Sequence, residues 1–144
     1  MESSSDAVCK AGNINHVAII VKDLEETLRF YQETFGLGDA PIEEIPDQGV
    51  RAALLPIGGT HLELIQPVKP DTGVARFLEA RGEAFHHICF EVEDLQGKLD
   101  SLDARGYRLI DKAPRQGLAG MIAFIHPKST RGVLIELVDK PKPE

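Results

Sequence analysis

Cysteine is scarce in this chain: Cys9 and Cys89 are the only two in 144 residues. One lies in a polar stretch and the other inside an apolar one, which excludes a disulfide-braced secreted scaffold. The expectation is a reduced, cytoplasmic protein. Long apolar runs are missing too. None approaches the roughly 18 residues that a membrane span requires, and the Ser-rich start, residues 1–12, has no hydrophobic signal core. Residues 1–13 read as a disordered tail. Positive charge is in deficit, 16 Lys and Arg against 23 Asp and Glu, which argues against nucleic acid or an anionic membrane as the main partner. An anionic ligand would have to find a local basic patch or a metal ion.

What the chain does have is a repeat. His16 opens His-Val-Ala-Ile-Ile-Val-Lys-Asp-Leu and His87 opens His-Ile-Cys-Phe-Glu-Val-Glu-Asp-Leu. The same offset relates Val21 to Val92, Asp23 to Asp94, Leu24 to Leu95 and Leu28 to Leu99. Near the end of each copy a glutamate interrupts an apolar run: Glu63 in Leu-Glu-Leu-Ile and Glu136 in Ile-Glu-Leu. A chain of this length buries about two-thirds of its unfolded surface as one domain. Two halves that would each be marginal alone are expected to share a core.

Each copy reads βαβββ. Residues 14–21 are strand-like, and Asp23 with Glu26 marks a helix start. Leu24, Leu28, Tyr31 and Phe35 form one helical face, which Gly36 ends in a left-handed cap. Strands follow at about 39–45, 49–57 and 60–66. A linker across 68–84 holds a helix at about 72–81. The second copy gives a strand at 85–92, a helix at 95–104, and strands near 107–111, 120–126 and 132–138. The expected fold is α+β, with paired βαβββ modules (14–67 and 85–139) in one domain, 14–139, forming a curved mixed sheet around a metal-binding cleft.

The chemistry follows from strand alternation. His16 shares a face with Ala18 and Ile20, and Glu63 with His61 and Ile65; His87 goes with Cys89, and Glu136 with Leu134 and Val138. One Glu in a strand is usually its solvent-facing member, and one His at a strand start is usually structural. Four such residues at equivalent places in two copies point instead to a single site. Two imidazoles and two carboxylates on one concave surface are costly unless a divalent cation binds them. Mixed nitrogen and oxygen ligation suits Co²⁺, Mn²⁺, Ni²⁺, Fe²⁺ or Zn²⁺ better than Ca²⁺. His86 should point away from His87 as a packing or surface residue. His61 stands beside Glu63 on the same face, as a supporting or a solvent-facing residue, and His126 belongs to a turn before Pro127. The loop 115–120 reads as plain and mobile. Arg115, Lys128 and Arg131 are the candidates for holding an anionic group.

Several segments carry a resemblance: Asn15-His16-Val17-Ala18-Ile19; the stretch from Phe77 to Glu83 running into His86-His87-Ile88; and Ile125-His126-Pro127-Lys128 followed by Gly132-Val133-Leu134-Ile135-Glu136-Leu137. Over about 14–138 the chain resembles the methylmalonyl-CoA epimerase family of the vicinal-oxygen-chelate superfamily. The resemblance implies metal ligands His16, Glu63, His87 and Glu136, an acyl-CoA substrate, and a homodimer. The implied reaction interconverts (R)- and (S)-methylmalonyl-CoA, with the metal chelating two substrate oxygens and stabilising the enolate. One branch of the family places a glutamate base where this chain has Ala52. Glu136 therefore remains as one proton-transfer group, and Glu44, from the stretch that also holds Glu43 and Asp47, is the expected second. The rival readings are a glyoxalase-I-like lactoylglutathione lyase, an Fe²⁺ oxygenase, and a non-catalytic small-molecule-binding module.

Overall fold

The computed structural model describes residues 10–140. Most of the tail expected at 1–13 falls outside them, although the Gly12 N–H donates to the Glu91 carbonyl at 3.0 Å and β1 begins at Asn13. By packing, the chain forms two units, one of residues 16–87 and one of residues 88–140 together with those up to Asn15. Both follow the βαβββ order. Among the described residues, no helix is long and apolar enough to cross a membrane.

The first unit takes β1 (Asn13–Ile20) from His16 on, α1 (Leu24–Phe35), β2 (Glu43–Ile45), β3 (Val50–Ile57), β4 (Thr60–Pro67), α2 (Gly73–Arg81) and the start of β5 (Ala84–Val92). Its strands lie in the order β2-β3-β4-β1, with β1 parallel to β4 and the other pairs antiparallel. Helix α1 starts as its sequence dictates: the Asp23 side chain accepts from the Glu26 N–H at 3.0 Å, satisfying one of the first-turn donors. It stops at Gly36, whose φ of 67° a side-chain-bearing residue adopts only with strain. Its apolar stripe, Leu24, Leu28 and Tyr31, packs with Val21, Ala53, Leu55 and Leu64 on one face of the sheet. Each fully buried leucine there contributes about 1.5–3 kcal/mol of burial free energy.

The second unit takes the rest of β5, α3 (Leu95–Ala104), β6 (Arg115–Gly117), β7 (Gly120–Ile125) and β8 (Ile135–Asp139), ordered β5-β8-β7-β6 with β5 parallel to β8. Leu95, Leu99 and Leu102 of α3 pack with Val92, Ala123, Ile125 and Leu137. The Asp94 carboxylate accepts from the Gly97 N–H, and a Cβ at residue 97 would force that carboxylate to shift. The repeat reaches further than the residue identities. The Leu24 N–H donates to Gln66 and the equivalent Leu95 N–H to Asp139, both at 3.0 Å.

The differences from expectation lie in the short strands. Residues 107–111 form no strand beyond one bridge, Leu109 to Ile125. The Asp111 carboxylate accepts from the Phe124 N–H at 2.9 Å and from Arg115 Nε at 2.8 Å, so a side chain takes the place of a ladder partner and the chain turns. The loop expected at 115–120 is instead a tight hairpin, with Arg115 paired to Ile122 and Gly117 to Gly120. The strand expected from 39 shortens to Glu43–Ile45, and the one expected from 132 starts at Ile135.

Candidate metal centre

In the first unit Ala18 stands opposite Glu63 across the parallel β1–β4 pair. His16, two residues before Ala18, therefore shares the face of Glu63, which is opposite to the face covered by α1. The second unit repeats the register: Cys89 stands opposite Glu136, and His87 precedes Cys89 by the same two residues. Both carboxylates thus occupy the same lattice position relative to a histidine. All four side chains are buried, with exposures of 1% for His16, 6% for Glu63, 3% for His87 and 4% for Glu136.

Within the first unit the geometry is close. His16 Nε2 lies 3.2 Å from Glu63 Oε1, His87 Nε2 lies 3.5 Å from the same oxygen, and the two Nε2 atoms are 3.3 Å apart. The two rings meet edge to face, with centroids 5.3 Å apart. One proton serves one edge of such a triangle, whereas a cation placed between the three atoms attracts every lone pair at once. A carboxylate this deeply buried costs several kcal/mol unless compensated. The donor set therefore fits a divalent ion of the kind that accepts imidazole and carboxylate together.

His86 is the packing residue that alternation predicts, with one contact that alternation does not suggest. Adjacent strand side chains diverge, yet Nδ1 sits near the backbone, and His86 Nδ1 lies 2.8 Å from His87 Nδ1. The ring also packs on Phe77, with centroids 4.8 Å apart. The adjacent His-His pair was the only hint of this in the sequence. His61 lies on the face of Glu63, opposite Pro56. The His126 ring caps a turn by accepting from the Lys128 N–H at 3.1 Å.

Strand pairing orients Glu44, the expected second proton-transfer group, and its neighbour Glu43. The β2–β3 register sets Glu44 opposite Arg51 and Glu43 opposite Ala52. Ala52 in turn faces Ile65, on the face of Glu63, so Glu43 shares the candidate-ligand face and Glu44 lies on the other. The Arg51 guanidinium, hydrogen bonded to Glu25 and close to the charge of Glu44, is held above its ordinary pKa. Among the basic residues, Arg115 is engaged by Asp111 at 2.8 Å and lies 5.5 Å from the Phe124 ring centre, while Lys128 and Arg131 are exposed.

Residues 15–124 match the Glyoxalase/Bleomycin resistance protein/Dioxygenase superfamily, and the chain belongs to it. Within that superfamily it is 37% identical to the ethylmalonyl-CoA/methylmalonyl-CoA epimerase of Cereibacter sphaeroides, over 88% of this chain and 96% of that one. It is 39% identical to the protein YqjC of Bacillus subtilis, over 88% of this chain and 91% of YqjC. Its fold is that of a Streptomyces coelicolor methylmalonyl-CoA epimerase variant in complex with 2-nitronate-propionyl-CoA. There the TM-score is 0.87 at 35% identity, covering 94% of this chain and 99% of the other.

Proposed function

We propose that this chain is an isomerase, a metal-dependent epimerase that interconverts (R)- and (S)-methylmalonyl-CoA. The observation that carries this reading is a likeness to epimerases that runs nearly end to end at more than a third identity. The buried His/Glu cluster supports the metal. His16, Glu63 and His87 would hold the ion, joined by Glu136, which the internal repeat makes equivalent to Glu63. The ion is one of Co²⁺, Mn²⁺, Ni²⁺, Fe²⁺ or Zn²⁺. Bound there, it would supply a Lewis acid toward the thioester and carboxylate oxygens, making the α-proton easier to remove.

The remaining work is proton handling by the chain's own groups. Inversion needs a proton removed from one side of the α-carbon and returned to the other, and so two groups or one group and water. Glu136 is the first. Glu43, an exposed carboxylate in register with the apolar Ala52, is the second, and takes the role first expected of Glu44. Its exposure lets Glu43 exchange protons with solvent between turnovers. Lys128 and Arg131 are exposed on their turn and are proposed to meet CoA phosphates. The exposed Phe30, Phe35 and Phe85 of the first unit provide apolar surface of the kind that a homodimer would cover.

Chelator treatment should abolish epimerisation and Co²⁺ or Mn²⁺ should restore it. His16→Ala should lose the metal while the chain stays folded by circular dichroism. Undiminished turnover in thoroughly stripped protein would contradict the reading. Activity on the methylglyoxal–glutathione hemithioacetal in its place would move the protein to the lyase class.

A further inference from the structure

His87 has two ring nitrogens, and the metal reading uses only one. Its Nε2 faces His16 Nε2 at 3.3 Å and Glu63 Oε1 at 3.5 Å. Its Nδ1 lies 2.8 Å from Nδ1 of His86, a distance at which two ring nitrogens share one proton. A neutral imidazole carries a single N–H, and a ligating nitrogen must keep its lone pair. If Nε2 of His87 binds the ion, the proton therefore sits on Nδ1, and His86 Nδ1 accepts it. His86 would then carry its own proton on Nε2.

The acceptor is itself held in place from α2. The His86 ring meets Phe77 edge to face, with centroids 4.8 Å apart at 88°, and the Arg81 guanidinium lies 5.4 Å from the centre of the Phe77 ring. The two histidine rings stand at 76° to one another, so the line from His86 Nδ1 also sets the angle at which His87 presents Nε2. Resting on the metal reading above, we propose that His86 is a positioning residue that fixes the tautomer and the ring orientation of His87 for the ion. Metal-bound histidines commonly donate their second N–H to a carboxylate, carbonyl or water. Here a neighbouring imidazole on the same strand fills that place, braced by a helix of the same unit.

The test uses full-length protein stripped of metal and titrated with Co²⁺, followed by the visible absorption of the bound ion. His86→Phe keeps an aromatic ring against Phe77 and removes the acceptor, whereas His86→Asn restores an acceptor oxygen near the place of Nδ1. Co²⁺ affinity should fall about 10- to 100-fold in His86→Phe and return most of the way in His86→Asn. In parallel, ¹⁵N spectra of the Zn²⁺-loaded wild type should show a coupling across the hydrogen bond from His87 Nδ1 to His86 Nδ1. That readout decides the matter even if His86→Phe does not fold. Wild-type Co²⁺ affinity in a folded His86→Phe, or no coupling between the two Nδ1 atoms, overturns the inference and leaves the metal reading standing. A wild-type protein that binds no Co²⁺ removes both.

Discussion

At the scale of single residues, the candidate site rests on polar side chains buried among apolar neighbours. His16 and Glu63 share their face with Ala18, Ile20 and Ile65, all 7% exposed or less, so nothing but another polar group or an ion offsets their desolvation. His16, Glu63, His87 and Glu136 stand out in the sequence because a repeat turns four weak signals into one: an isolated Glu in a strand says little, and a second Glu at the same place in a second copy says a great deal. The repeat offers no such help for the proposed second proton-transfer group, since Glu43 and Glu44 are adjacent and only the β2–β3 register decides which of them faces Ala52. Glu43→Gln is accordingly expected to block inversion while one epimer still exchanges its α-proton with D₂O, and Glu44→Gln to invert substrate at the wild-type rate. The two rates, followed by circular dichroism of the substrate alongside NMR, separate the assignments. Slow inversion in Glu44→Gln beside a fast Glu43→Gln would reverse them.

At the scale of elements, the helices were readable because their start and stop signals are local. Asp23, Glu26 and Gly36 lie within or beside the segment they define, and α1 spans the residues that their pattern marks out. The short strands were not readable, because Asp111 replaces a ladder contact with a side-chain bond to a residue thirteen positions on. Two predictions belong here. Leu99→Ala removes a fully buried side chain from the α3 face and should cost about 2–5 kcal/mol in denaturant unfolding; a loss under about 1 kcal/mol would mean that the α3 core repacks. The second concerns Glu25, bonded to Arg51 Nη2 at 2.6 Å, where the guanidinium holds the carboxyl below its ordinary value of 4.5. A group with a depressed folded pKa stabilises the protein above its unfolded pKa, and that contribution disappears as pH falls through the folded one. The Tm gap between wild type and Glu25→Gln should therefore be present at neutral pH, small because the pair is exposed, and close on acidification below about 4.5. A gap unchanged down to about pH 2 would show that the ion pair is not its source.

At the scale of the whole molecule, a duplicated βαβββ unit gives a modest, acidic chain the same His/Glu register twice. Each copy commits one face of its strands to a helix-covered core and sets a carboxylate on the other, in register two residues beyond a histidine. With a net charge of −7, long-range attraction does not favour a CoA thioester. Under the proposed function, local contacts and the bound ion would supply the affinity. The most direct measurement is proton NMR of a single epimer of methylmalonyl-CoA in D₂O with metal-loaded protein. Under the proposed function, the α-proton signal should disappear and the opposite epimer accumulate much faster than in a protein-free control, and chelator should stop both. An α-proton signal that persists at the control rate, with metal demonstrably bound, would contradict it.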